Sequence, residues 1–127
     1  MLLQPIVIYL SAGFFLLYGL AFSFFPIAMT NLITQGELLG ASAQVDFRAT
    51  YGGMTLAVGL TILFLYRIGQ ARASLVVVIL VLLAMAVTRT IGFVLEGSTN
   101  TLMYVYLILE LAGSGLAFLA LKTGPES

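Results

Sequence analysis

The sequence contains no cysteine, no histidine and no tryptophan. Without cysteine, the chain has no disulfide and no thiolate that could act as a nucleophile or a metal ligand. Without histidine, it lacks the side chain that most often performs acid–base chemistry near neutral pH and that commonly binds zinc or haem iron. These absences argue against a catalytic centre, and they predict that the protein binds no metal ion or other cofactor.

Charged side chains are also scarce, since they make up 8% of the 127 residues and sum to a net charge of zero. No cluster of lysine and arginine is present, which argues against a nucleic-acid partner. Hydrophobic residues reach 61%, with a mean hydropathy of +1.15, whereas a soluble domain is about 45–50% apolar and about 25% charged. A water-soluble core of this length could not bury so much apolar surface, so the composition predicts an integral membrane protein.

Four long apolar runs predict four transmembrane helices, at residues 5–25, 45–66, 73–95 and 101–121. The first run is long enough to cross ~30 Å of hydrocarbon, and a cleaved signal peptide is disfavoured because no lysine or arginine precedes it. The links at 67–72 and 96–100 are short, which predicts antiparallel neighbouring helices. The expected fold class is therefore all-α, a polytopic four-helix bundle that forms one domain over residues 1–127.

The connection at residues 27–45 is the longest, and it mixes polar with apolar side chains. This mixture predicts a short helix on the membrane surface followed by a loop, with an irregular loop as the alternative. Orientation follows from Arg67, Arg72 and Lys122, which lie at the same end of the predicted bundle. The positive-inside rule then places both chain termini in the cytoplasm.

Arg89 and Glu110 lie inside apolar runs, about 9 Å and about 13 Å below the outer ends of their helices at 1.5 Å per residue. A charge at the centre of a bilayer costs at least ~2.5–3.5 kcal/mol, so both side chains should face inward and pair. Arg48 is expected to pair with Asp46, Glu96 or Glu110. A network of structural ion pairs formed by Asp46, Arg89, Glu96 and Glu110 is one interpretation of these residues.

A second interpretation, favoured over proton chemistry performed by a Glu–Tyr pair, is a binding or transport site built around the stretch R-A-T-Y-G-G at residues 48–53. Arg48 and Tyr51 recur at helical spacing with Thr55 and Gly59, which predicts one shared stripe. The glycine pair is too short for a phosphate-binding loop and favours close helix contact. The candidate ligand-binding residues are Arg48, Tyr51, Gly52, Arg89 and Glu110.

The block R-A-T-Y-G-G, followed by R-T-I-G at residues 89–92, resembles a bacterial family of small four-helix membrane proteins of unknown function. The family's pattern has R-A-x-Y-G-G opening helix two and R-x-x-G late in helix three, and a proline closes its first helix, as Pro26 does here. The layout is similar, more loosely, to DoxX-like four-helix proteins, some of which accompany quinone-linked redox enzymes. The resemblance implies a multi-pass protein of the bacterial plasma membrane, and it assigns no catalytic residue.

These observations predict a non-enzymatic bundle that holds an apolar or amphipathic ligand, such as a lipid or a quinone, at its outer polar cluster. Two alternatives stay open: an accessory or structural subunit of a larger membrane complex, and a transporter protomer that would need to form a homo-oligomer. The identity of the ligand and the oligomeric state do not follow from the sequence.

Overall fold

A computed structural model describes residues 2–38 and 40–126. Every regular element in this part of the chain is a helix: α1 Leu3–Phe24, α2 Pro26–Thr34, α3 Ala41–Phe47, a π-helical segment Arg48–Met54, α4 Thr55–Arg67, α5 Ala71–Glu96 and α6 Thr101–Thr123. Four stretches are long and apolar enough to cross a membrane: α1, the continuous helix Ala41–Arg67, α5 and α6. The predicted class, an all-α polytopic membrane protein, is confirmed.

Pro26 marks the end of the crossing helix α1 and begins the short helix α2. Phe25 leaves the helical conformation, and Pro26 occupies the first turn of α2, where its missing N–H costs nothing. On α2, the side chains of Pro26, Thr30 and Ile33 are buried against the bundle, while Leu32 is exposed. The connection at residues 27–45 therefore starts with a short amphipathic helix.

The second crossing helix starts at Ala41, so the prediction that it begins at residue 45 was wrong. Polar side chains such as Ser42 and Gln44 suggested a loop, but both lie within α3. The continuous helix has 27 residues, which corresponds to about 40 Å at 1.5 Å per residue. Because hydrocarbon spans only ~30 Å, polar residues in the first turns can lie outside it.

Both chain ends lie at the same end of the bundle, and we call that half the terminal half. Its buried core is apolar and close-packed, and Ile8, Ile62, Leu75 and Val78 are fully buried there. Buried polar groups in this half bond to the backbone of neighbouring helices: Gln4 Nε2 donates to the Ala120 carbonyl at 3.2 Å, and Ser74 Oγ donates to the Ile62 carbonyl at 2.8 Å.

The opposite half, which holds α2, the π-helical segment and the link between α5 and α6, is called the far half. There α1 packs closely on the π-helical segment, and α5 packs on α6. Among the residues that the structure describes, the π-helical segment makes no substantial packing contact with α5 or α6. Helices α4 and α5 therefore meet near their short link and separate towards the far half.

Two glycines allow α1 to approach the second crossing helix. A Cβ at Gly59 would lie 2.8 Å from Leu16 Cγ and 3.1 Å from the Ala12 carbonyl oxygen, and one at Gly52 would overlap Ser23. A Cβ at Gly53 would meet only a backbone oxygen, 3.9 Å away. Only the first glycine of the pair is therefore needed for close packing. The two adjacent glycines also lower the cost of leaving α-helical geometry at this point.

Candidate functional site

Arg89 on α5 and Glu110 on α6 form a bidentate ion pair in the far half. Arg89 Nη2 lies 2.6 Å from Glu110 Oε1, and Arg89 Nε donates to Oε1 and Oε2 at 3.0 and 3.1 Å. The side chains are 19% and 5% exposed, respectively. The structure thus brings together the two charges that lie within the apolar runs, and paired hydrogen bonds of this kind are the stronger ones.

The remaining edge of the Arg89 guanidinium has weaker partners. Its Nη1 lies 3.3 Å from the sulfur of Met103, and its Cζ lies 5.2 Å from the centre of the Tyr106 ring. A thioether sulfur is a weak acceptor, and the ring offers only a cation–π contact. Nη1 is therefore the part of the guanidinium that a ligand oxygen could bind most favourably.

Three tyrosines converge beside this ion pair. The electrostatic neighbours of Tyr18 on α1 are Tyr106 on α6, Tyr51 on the π-helical segment, and Arg89. Each phenol can donate a hydrogen bond, so α1, α6 and the π-helical segment each contribute a donor to the far half.

A row of aromatic rings lines the approach to these groups. The ring centres are 4.8 Å apart for Phe47 and Tyr51, 5.2 Å for Tyr51 and Phe22, and 5.0 Å for Phe22 and Tyr18. Phe14 continues the row, 5.6 Å from Tyr18. These spacings are those of favourable aromatic pairs, so the row forms an aromatic wall of mutually tilted rings in which Phe22 is buried.

Tyr18 and Phe22 are not among the candidate residues predicted from the sequence. Both lie in α1, which contains no charged residue that would mark a site. A usable signal was present nonetheless, because Phe14, Tyr18 and Phe22 recur at four-residue intervals. That spacing places aromatic side chains on one face of a helix.

The expected ion pairs of Arg48 are not found. Arg48 Nη1 donates to the Ser23 carbonyl at the end of α1, and within residues 2–38 and 40–126 the one salt bridge joins Arg89 to Glu110. Asp46 and Glu96 are exposed and need no buried partner. The last carbonyls of a helix lack intrahelical donors, and basic side chains commonly bond to them. The Ser23 carbonyl is such an acceptor.

Arg48 and Tyr51, which were expected to share one stripe, have different partners at the end of α1. Arg48 reaches Ser23 and the start of α2, whereas Tyr51 packs on Phe22 and Phe47. The physical reason is the π-helical geometry of residues 48–54, because hydrogen bonds between residues five apart widen each turn and rotate the following side chains. Gly52 takes the packing position against α1.

Sequence comparison gives one informative match. The family described as a domain of unknown function (DUF4345) matches residues 3–121. The chain belongs to the DUF4345 family. No curated protein and no solved structure matches it. All the residues that form the Arg89–Glu110 cluster lie inside the span matched to DUF4345, and the looser similarity to DoxX-like proteins stays a prediction.

The DUF4345 description assigns no activity, so the chemistry of the site rests on its side chains. In the described part of the chain, no three metal-ligating side chains come together to hold a metal ion. The far half instead combines hydrogen-bond donors, one neutralised ion pair and an aromatic wall. These groups can bind and orient an amphipathic molecule.

Proposed function

We propose that this DUF4345 protein is a non-enzymatic membrane bundle that binds a neutral amphipathic lipid, such as a quinone, in its far half. The observation that carries the proposal is the Arg89–Glu110 ion pair, which lies beside the Tyr106 ring in the half of the bundle that also holds Tyr18 and Tyr51. Roles as an accessory subunit, a homo-oligomer or a transporter protomer remain predictions.

The shape of the far half supports access from the lipid rather than from water. Helix α2 packs across this end through Pro26, Thr30 and Ile33, and Asn100 Nδ2 donates to the Ile33 carbonyl at 2.9 Å. In contrast, the π-helical segment is not packed against α5. We propose that a ligand already dissolved in the bilayer enters between these two elements.

The charges of the cluster favour an uncharged ligand with acceptor oxygens. Arg89 and Glu110 neutralise each other. A ligand with a net charge would therefore find no compensating charge in the site after losing its solvation. The groups that remain are donors: one guanidinium nitrogen and the phenols. A carbonyl oxygen accepts from both kinds of donor, and a flat ring can pack against the exposed ring of Tyr51.

Tyrosine emission offers a direct test, because the chain has no tryptophan. The purified full chain in detergent would be titrated with decylubiquinone, which quenches nearby tyrosines. We expect saturable quenching for the parent and an affinity about tenfold lower for Tyr18→Phe, since one hydrogen bond to the ligand is lost.

The matched control is Tyr9→Phe, which removes the same hydroxyl group from the same helix, about 13 Å away at 1.5 Å per residue. Its affinity should equal that of the parent. Quenching that rises without saturating, as expected when the quinone only dissolves in the detergent around the protein, would reject the proposal. An equal loss of affinity in the Tyr9 and Tyr18 variants would reject it as well.

A further inference from the structure

Arg48, which the structure separates from the Arg89–Glu110 cluster, lines a cleft of its own. This open cleft of about 420 Å³ lies between the end of α1, the start of α2 and the π-helical segment. Its apolar walls include Phe24 and Phe25, each 66% exposed, and its polar lining comes from Asn31 and Arg48. We refer to it as the Arg48 cleft.

The guanidinium in this cleft is anchored and still has donors free. One nitrogen of Arg48, Nη1, donates to the Ser23 carbonyl. For Nε and Nη2 the structure of residues 2–38 and 40–126 shows no protein acceptor, and the side chain is exposed. A guanidinium held in one orientation with two nitrogens available matches the oxygens of a phosphate group.

The position of the cleft indicates a lipid as the source of that phosphate. The cleft lies where the crossing helix α1 ends at Phe24, the depth at which the hydrocarbon of a bilayer gives way to its headgroups. Its lining joins one cation to exposed aromatic and aliphatic walls. A free phosphate ion would gain nothing from those walls, whereas the acyl chain of a phospholipid would cover them.

The surrounding charges select among phospholipids. Exposed Glu37, Asp46 and Glu96 lie at this end of the bundle, and Arg48 is the cation there that is not in an ion pair within the described residues. These carboxylates repel a headgroup with a net negative charge and attract one that also carries an ammonium group.

We infer that the Arg48 cleft binds the phosphate of a zwitterionic phospholipid, with an acyl chain against Phe24 and Phe25. This site is independent of the neutral-lipid site proposed above, because the two use different side chains. It gives Arg48 a binding role that is separate from the ligand site in which the sequence analysis placed it with Arg89 and Glu110.

Native mass spectrometry of the delipidated full chain tests this inference. Phosphatidylethanolamine, phosphatidylglycerol and diacylglycerol would be added back separately. We expect one saturable phosphatidylethanolamine adduct, with affinity about tenfold lower for diacylglycerol, which lacks the phosphate. Phosphatidylglycerol should bind less tightly than phosphatidylethanolamine, and equal binding of these two would overturn the zwitterionic preference.

Variants locate the site. Arg48→Gln should lower phosphatidylethanolamine affinity about tenfold, whereas Arg67→Gln, which removes an exposed cation from the other end of the same helix, should not. Ala28→Glu places an acid in the cleft and leaves Arg48 unmutated, so it should abolish binding. Because Ala28 is exposed, the melting temperature should stay unchanged. Parent-like binding in the Arg48 and Ala28 variants would overturn the inference.

Two further measurements separate this site from its alternatives. Glycerophosphoethanolamine, a headgroup without acyl chains, should fail to displace the lipid at equal concentration, and full displacement would contradict a role for the apolar walls. Tyr18→Phe should leave phosphatidylethanolamine binding unchanged. A matching loss in that variant would mean that the two sites are one, and would overturn the separate Arg48 site while leaving the neutral-lipid proposal standing.

Discussion

In the terminal half the helices close around fully buried Ile8, Ile62 and Leu75, whereas in the far half the π-helical segment makes no substantial packing contact with α5 within the described residues. In the terminal half, the buried side chains of Gln4 and Ser74 donate hydrogen bonds to backbone carbonyls of neighbouring helices. Polar side chains of the far half keep donors available beside an ion pair. Close packing and polar side chains are therefore divided between the two ends of one bundle, and the proposed ligand site lies in the end that packs less closely.

The largest expected effect comes from breaking the ion pair of the far half. Glu110→Leu with Arg89 intact should lower the free energy of unfolding by ~3–5 kcal/mol, because it leaves a partly buried cation alone. Glu110→Gln should cost less, since the amide oxygen still accepts from the guanidinium. Thermal melts in detergent would measure the differences.

The Arg89→Leu/Glu110→Leu double variant is the control for that experiment. It should recover part of the stability lost in Glu110→Leu, because both charges are gone. A double variant no more stable than the single one would show that the two residues do not act as partners.

Truncation in the terminal half should cost nearly as much. Leu75→Ala removes a fully buried side chain from the close-packed core and should destabilise the protein by ~2–5 kcal/mol. Leu80→Ala on the same helix is the matched control, since Leu80 is 62% exposed to the surroundings of the bundle. Equal losses in the two variants, measured by chemical or thermal unfolding, would contradict the apolar core described here.

Glycine substitutions should sharpen the same comparison with a smaller effect. Gly59→Ala would push a methyl group against Leu16 and the Ala12 carbonyl, at a cost of ~1–3 kcal/mol. Gly92→Ala on α5 meets nothing within 4 Å, and it should be neutral or stabilising by up to ~1 kcal/mol. Melting temperatures that fall equally would indicate that α1 and α4 do not depend on close approach.

The orientation of the bundle in the membrane does not alter the stabilities measured in detergent, but it decides which half faces the cytoplasm. Single cysteines at Gln35 and Gln70 could be labelled in intact cells with an impermeant thiol reagent, without background because the chain has no native cysteine. From the positions of Arg67, Arg72 and Lys122 we expect labelling at residue 35 and none at residue 70. The reverse pattern would place the far half inside.

The number of crossing helices and their antiparallel order follow from sequence alone. Backbone N–H and C=O groups in lipid must bond to each other, and apolar runs of this length do so as helices. The short links at 67–72 and 96–100 make neighbouring helices antiparallel. The contact between Arg89 and Glu110 was also predictable, because adjacent antiparallel helices bring charges of similar depth together. Both results depend on distance along a helix, which residue numbers measure directly.

The partners of Arg48, the position of Tyr18 and the separation of α4 from α5 were decided by tertiary structure. The π-helical turn at residues 48–54 forms where Gly52 meets Ser23, and such a turn rotates every later side chain away from its α-helical direction. Arg48 then finds the Ser23 carbonyl, an acceptor that exists because α1 ends there. Helical periodicity cannot reveal either event, since each depends on what another helix presents at that point.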